Sequence, residues 1–447
     1  MSGINNMMNL GKGALMAHQR RMATHQNNVA NASTPGYRRE RVNLETLGSY
    51  TGVPLQGVRA GHAQSVSAPL LDRVVPEKRG EYALHQQVRT TAEIAESLLA
   101  EDGLSDKLGA LFSSARALEV DGKSSARRED FLARASSLTE TIQSRHETLS
   151  FQRELGVQDA RHKVDELNGV LQELEEIEAQ VMLSPNAPEL VDARDQLVNR
   201  VADLTGARVV PSSSGRVSLV TGSGTALFEG GRAREVSMES TPQGMSFSLG
   251  ANRPLSKMSG ELGGLQRADE EVFQASLSRL NDFTSTLASE INALHTQGVA
   301  LDDSTGSPLF TFDPLDPAST IAVDASILSD PGKLAIAENT ASLPGGAKIA
   351  SLIADLETAS ITPGGETAHD MLRLDAASLG DVVSSSRQRE NTALAALSQA
   401  ESMQASVSGV SLEEEMMALT QAQRSYEASV KLIQTADELM QTILSLK

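Results

Sequence analysis

SLEEEMMALTQAQRSYEASVKLIQTADELM, residues 411–440, puts a large side chain at every seventh position: Leu412, Leu419, Tyr426, Ile433 and Met440. Near the other end of the chain Met8, Leu15, Met22 and Val29 keep the same interval. Seven-residue spacing confines side chains to one narrow stripe of a helix, the geometry of helices that associate lengthwise. Two such stripes at opposite ends predict that the termini pair with each other or with other copies. A second C-terminal column, Met416, Val430 and Leu444, is interrupted by Gln423 and Asp437, and polar residues in a seam set register and oligomer state. The same periodicity also suits helices that simply face a bundle core. The N-terminal stripe is a single column, too narrow to anchor its helix alone.

Charge separates the two ends. Lys12, Arg20, Arg21, Arg38, Arg39 and Arg41 stand against Glu40 in the first, while Glu413, Glu414, Glu415, Glu427, Asp437 and Glu438 outnumber Arg424, Lys431 and Lys447 in the last. Opposite signs favour pairing of unlike ends over like ends. The whole chain of 447 residues carries a net charge of −19, which argues against a nucleic-acid partner because phosphate binding needs a basic surface. Aromatic residues make up 3% and tryptophan is absent, so cores must come from aliphatic side chains, as in helical bundles. Cysteine is absent, which excludes disulfides and thiolate metal sites. Neither a cleaved secretory signal nor the ~20-residue apolar run of a membrane span is visible.

Between the ends the pattern is mainly helical. A helix from about Asn5 to Ala32 should stop at Ser33-Thr34-Pro35-Gly36, and short extended pieces should follow to about Arg79. No proline occurs from Glu77 to Ser184, with turn signals only at Asp102-Gly103 and Asp121-Gly122. The apolar series from Phe131 through Leu138, Ile142, Leu149, Val164 and Leu171 to Val181 predicts one of several long, roughly antiparallel helices. A shorter helix runs from Leu190 to Leu204. Residues 206–262 alternate apolar and polar positions between glycines, which predicts a small inserted antiparallel β domain projecting from a helical stem. Helices return at Leu262–His295 and Thr367–Ser406, with loops and one or two strands over 298–345. Ser411 and Glu414 form a capping-box pattern ahead of the last helix. The expected fold is mainly α, with residues 1–45 and 408–447 as a terminal assembly domain, 46–205 and 262–407 as the stem, and 206–261 as the β domain.

Chemistry is hard to find. His18 and His25 lie seven apart, whereas helical zinc ligands need three or four and a further ligand. Gly122-Lys123-Ser124 lacks the earlier glycine of a phosphate loop, the position being Ala117. No carboxylate pair sits in surroundings that would tune a general acid. No catalytic, cofactor or metal site is expected.

The segment Asn28-Val29-Ala30-Asn31-Ala32-Ser33-Thr34-Pro35-Gly36-Tyr37 resembles the N-terminal signature of the bacterial flagellar rod, hook and hook-associated proteins. Gln423-Arg424-Ser425-Tyr426-Glu427-Ala428-Ser429, Leu190-Val191-Asp192-Ala193-Arg194-Asp195-Gln196-Leu197 and Ile291-Asn292-Ala293-Leu294-His295-Thr296-Gln297-Gly298 are similar to segments of its hook-associated branch. The resemblance implies a structural protein between hook and filament, outside the cell, exported without a cleaved signal. It implies self-association in a helical lattice, contact with the hook protein and with the next hook-associated protein, and an export chaperone on about Ser411–Lys447. The assembly interface would comprise the two stripes together with Asn28, Asn31, Pro35, Gly36 and Tyr37. Another axial protein, of hook or distal rod, and an extracellular enzyme on a helical stem remain the alternatives.

Overall fold

A computed structural model of the chain describes residues 2–34, 36–46, 57–101, 103–185, 187–211, 216–250, 253–256 and 258–445. Pro35 of the expected turn lies outside these residues, as does the side chain of Leu444. Helix α1 (Ser2–Ala30) leads into a hairpin of β1 (Glu40–Thr46) and β2 (Val58–Ser65), paired antiparallel from Glu40↔Ser65 to Thr46↔Val58. Helix α2 (Leu71–Glu101) starts earlier than the expected end of the extended region near Arg79 and carries Pro76 inside it. Lying in the second turn, Pro76 has no N–H to donate to the Asp72 carbonyl, so the helix forgoes one backbone bond there. Helix α3 (Leu104–Val120) follows, after which Asp121-Gly122 turn the chain into α4 (Ser125–Leu183).

At 59 residues α4 is about 90 Å long, and it is the spine of the stem. Its buried positions recur every seven residues through Arg128, Ala135, Ile142 and Leu149, and again through Val157, Val164, Leu171 and Glu178. Between Leu149 and Val157 the step is eight. One extra residue turns the buried face by about 100°, so the two halves of one helix face different cores. The first half packs with α3, α7 (Ala275–His295) and α10 (Lys348–Asp355) around Phe112, Phe131, Leu138, Phe283 and Ile353. Helix α10 had no counterpart in the sequence reading. The second half packs with α5 (Pro188–Thr205), α6 (Gly260–Ala268) and the strands around Leu167, Leu174, Val201, Phe228, Phe247 and Leu262.

The strands form a four-stranded antiparallel sheet, β3 (Arg208–Pro211), β4 (Val217–Val220), β5 (Ala226–Glu229) and β6 (Arg232–Ala233). A three-stranded sheet adds β7 (Val236–Thr241), β8 (Gly244–Leu249) and β9 (Arg253–Leu255). These short strands share their core with α4, α5 and α6. Polar side chains of α4 satisfy strand backbone directly. Asn168 donates to Val236 O at 2.8 Å and accepts from Val236 N at 2.9 Å, and Glu175 and Glu178 accept from Ala233 N and Val217 N.

A six-residue π turn, Asp269–Gln274, separates α6 from α7 inside the expected single helix. After α7 come the short pieces β10 (Phe310–Thr311), α8 (Pro317–Thr320), β11 (Ala322–Val323) and α9 (Ala325–Ser329). Asn292 repeats the strand-like pairing, donating to Phe310 O and accepting from Phe310 N, both at 2.8 Å. Helix α11 (Ala368–Ser408), capped by Thr367 and Asp370, then runs along α2. Their ion pairs Arg79–Glu401, Arg89–Glu390 and Arg387–Glu93 descend in one helix as they rise in the other, so the pair is antiparallel.

His295 closes this end of the stem. The ring is fully buried, with Nδ1 2.5 Å from Ser307 O and Nε2 accepting from Ala335 N at 2.9 Å, so it is the neutral Nδ1–H tautomer. Burial pushes its pKa below the ordinary 6.5, outweighing the hydrogen bond to Ser307. The unfolded ring therefore takes up its proton first as pH falls below 6.5, and native stability falls with it until the lowered native value is reached. Urea unfolding midpoints should drop between pH 7 and pH 5.5, and His295→Gln should flatten that dependence while lowering stability at pH 7.

Candidate assembly interface

The last helix, α12 (Leu412–Ser445), lies antiparallel against α1: His25 meets Glu415 at one end while Gly11 meets Ile433 at the other. The centre of the contact is not the large-residue stripe. Among the described side chains, Glu415, Ala422, Ser429 and Ala436, seven apart, are the buried ones of α12, and Gly11, Ala17, Thr24 and Asn28 those of α1. Small residues let two helix backbones come close. A Cβ at Gly11 would stand 2.6 Å from Ile433 Cγ1.

The predicted stripes flank this seam. Met8, Leu15, Met22 and Val29 are half-buried, as are Leu419, Tyr426, Ile433 and Met440. Leu412 is 52% exposed, and Met16, Met416 and Met417 are 58%, 52% and 66% exposed. Sequence reasoning missed the seam because it counted only large apolar residues, although the interval of seven in Glu415, Ala422, Ser429 and Ala436 was there to be found.

One amide ties the pair to the rest of the molecule. Asn28 is fully buried. Its Nδ2 donates to Glu40 O at 2.9 Å and to Glu415 Oε2 at 3.0 Å, and its Oδ1 accepts from Glu40 N at 2.8 Å and from Tyr37 Oη at 2.9 Å. Two donors and two acceptors are the whole capacity of an asparagine side chain. Helix α1, the first residue of β1, the turn and α12 therefore meet on one side chain. Burial, reinforced by the Glu40 carboxylate, raises the Tyr37 pKa and keeps its hydroxyl a donor.

Glu415 is the second member of the clasp. Its carboxylate accepts from His25 Nδ1 at 2.6 Å, from Asn28, and from Arg39 Nε at 2.6 Å. Burial opposes its charge, but the hydrogen bonds from Asn28 and His25 and the Arg39 charge prevail and hold it below 4.5. The neighbouring Glu414 pairs with Arg39 at 2.9 Å. The capping box expected at Ser411 is therefore half made: Glu414 N lies 3.4 Å from Ser411 Oγ, but the Glu414 side chain has turned to the arginine.

The turn is fixed by local bonds, with Thr34 N donating to Asn31 O at 2.9 Å and Tyr37 N to Thr34 O at 3.2 Å. Asn31 is half-buried and bonds back to Asn27 O. Gly36 has φ of 81°, which favours glycine, and a Cβ there would come 3.1 Å from Gln196 Nε2. Beyond it Arg38 binds Asp72 at 3.0 Å and Asp195 at 2.9 Å, and Arg39 N donates to Ser408 O at 2.9 Å, fastening the clasp to α2, α5 and the end of α11. No group of three or more His, Asp or Glu side chains set to hold a metal occurs among the described residues. No described helix is long and apolar enough to cross a membrane.

Because Glu415 has a lowered native pKa, its contribution is complete above the ordinary carboxylate value and disappears as pH falls through the native one. Replacing a buried, paired carboxylate strands its partners, so Glu415→Gln should cost about 3 kcal/mol at pH 7. Hydrogen exchange of the α12 amides should show both losses. Gly11→Val should force α1 away from Ile433, read as faster exchange in both terminal helices with the stem unchanged.

Three families match the chain. Residues 92–310 match the flagellar hook-associated protein FlgK helical domain, 402–446 the C-terminal region of flagellar basal body rod FlgEFG proteins, and 8–38 the flagella basal body rod protein. Flagellar hook-associated protein 1 of Bacillus subtilis (strain 168) is 25% identical over 496 residues, covering 97% of this chain and 96% of that one. The Salmonella typhimurium protein of the same name is 23% identical over 336 residues, covering 69% of this chain and 60% of its own length. The solved structure of the flagellar hook junction protein FlgK from Burkholderia pseudomallei superposes with a TM-score of 0.65 over 76% of this chain and 100% of that one, at 10% identity, which speaks to the fold. In chain order, then, a basal body rod protein match, the FlgK helical domain and the FlgEFG C-terminal region follow one another, and over nearly its whole length the chain is similar to flagellar hook-associated protein 1.

Proposed function

We propose that this chain is the structural adaptor that joins hook to filament, polymerising through α1 and α12 into a helical tubular lattice and carrying out no catalysis. The observation that carries the reading is the shape of the terminal pair. Its seam is closed by small residues, so the large side chains of both helices are left on the shoulders, with Met16, Leu412, Met416, Met417 and Leu439 exposed side by side with charged groups. Apolar surface gathered on an elongated pair is a contact surface for neighbours. A head-to-tail contact that does not close on itself gives an open helical array.

Charge supports the same reading. Arg39 uses Glu414 and Glu415 within the chain. Lys12, Arg21 and Arg41 on one side and Glu413, Glu427 and Glu438 on the other form no ion pair among the described residues. They remain for contacts between copies. In this reading residues 1–45 and 408–447 are the assembly unit and Met8, Leu15, Met22, Val29, Leu419, Tyr426, Ile433 and Met440 its shoulders. The hook protein and the next hook-associated protein bound the lattice on its two sides. Export proceeds without a cleaved signal, and a cytosolic chaperone covers Ser411–Lys447 before assembly, shielding the exposed methionines of α12.

A hook or distal-rod role is the second reading, favoured by the rod-protein matches at both ends. Adding purified chain to filamentless hooks that lack their junction protein separates the two. Filament growth should resume on added filament subunits; hooks that stay bare, or that lengthen, would sink the junction role.

A further inference from the structure

Between α1 and the β1–β2 hairpin runs an open groove of about 700 Å³, lined by Gly13, Met16, Ala17, Arg20, Val58 and Arg59 among others. Gly13 lets the hairpin come close, since a Cβ there would stand 3.2 Å from Val58 O. Arg20 ties the hairpin down, its Nη1 donating to Ala60 O at 3.3 Å and to Gly61 O at 3.2 Å. The groove lies away from the terminal seam. Gly11 and His25 face α12. At about 100° per residue, Gly13, Met16 and Arg20 stand roughly 140–200° round the helix from Gly11. The chain's own α12 is therefore on the far side of α1 from this groove.

Its floor is small and apolar, and its rim is positive. Arg20 and Arg59 are exposed and form no ion pair among the described residues. Glu45, across the hairpin from Arg59, is exposed and likewise unpaired there, which leaves one positive charge in excess. The first two turns of α12 carry the complementary surface. Glu413, Met416 and Met417 are all exposed. At i, i+3 and i+4 they share one face of the helix, roughly opposite the buried Glu415. Glu414 and Glu415 are taken up by Arg39, whereas Glu413 forms no ion pair among the described residues. Methionine side chains adapt to irregular clefts, and a carboxylate beside them matches the arginines in sign.

We propose that this groove receives the start of α12, residues 412–417, from a neighbouring copy of this chain. Met416 and Met417 fill the apolar floor, and Glu413 lies between Arg20 and Arg59. The inference rests on the assembly reading and deepens it, because it makes the hairpin one wall of a receptor for the next copy. The two contacting surfaces are then different. Each added copy covers one groove and presents another, so the contact propagates without closing on a pair. Helix laid into groove is a common mode of recognition, with side chains at i, i+3 and i+4 as anchors.

The chain has no cysteine, so single cysteines report contacts between copies without background. One chain carrying Met16→Cys and another carrying Met417→Cys are added together to filamentless hooks and bridged with a short bismaleimide. Both positions are exposed, so neither change disturbs a core. Cross-linked dimer should form on the hooks at about tenfold or more the yield in the free mixture; hooks that bear both chains without dimer overturn the proposal. Charge exchange gives a second reading. Arg59→Glu and Glu413→Arg should each lower addition by about tenfold, and the two together in one chain should restore most of it. A double variant no better than the single ones refutes the pairing. Peroxide footprinting of the wild type avoids substitution altogether: Met16 and Met417 should oxidise in the free chain and be protected on hooks. Met16 already protected in the free chain, or either residue still open after addition, also overturns it. Wild-type addition reports on the junction role, and only cross-linking, charge exchange and footprint report on the groove.

Discussion

The saturated amide of Asn28 governs how the ends of this chain can sit. It joins two helices that are distant in sequence, the start of a hairpin and a tyrosine hydroxyl, and it has no spare capacity. A slip of α12 by one helical turn would leave Asn28, His25 and Arg39 facing something other than Glu415. Buried polar groups without partners are expensive, so the clasp penalises every wrong register more than it stabilises the right one. That is the role polar residues take in helix seams generally, and here it is displaced to the end of the pair, where the hairpin and turn can share it.

The same device recurs at two other places where a helix meets a strand. Asn28 with Glu40, Asn168 with Val236 and Asn292 with Phe310 each pair both polar atoms of one side chain with both backbone groups of one residue. An asparagine used in this way imitates a neighbouring strand. It lets short hairpins end against helices without leaving backbone unsatisfied. The molecule can therefore be mostly helix and still carry small sheets at fixed places.

Seam and shoulders divide the work between the molecule and its lattice. Small side chains at Gly11, Ala17, Ala422 and Ala436 bury little apolar area each, so the terminal pair gains its close approach at the expense of hydrophobic stabilisation. The large residues that could have filled the seam lie beside it, partly covered by their own chain and available to others. A protomer built in this way holds its ends in the right relative position while leaving much of their binding surface unused.

The amino-acid sequence determined the helical class, the β region between glycines, the long proline-free spine and the seven-residue rhythm of both ends, because these follow from local periodicity and from residues that restrict the backbone. It also carried the Asn28–Tyr37 motif, though not its purpose. Only the tertiary structure decided which column closes the terminal pair, since periodicity fixes a face but cannot weigh a small residue that permits close approach against a large one that buries area. The eight-residue step after Leu149 is visible as spacing, yet its meaning depends on the two cores it separates. The partners of Asn28 and Glu415 lie as much as 390 residues away along the chain, and contacts at that distance arise from the packing of whole elements, which no local pattern encodes.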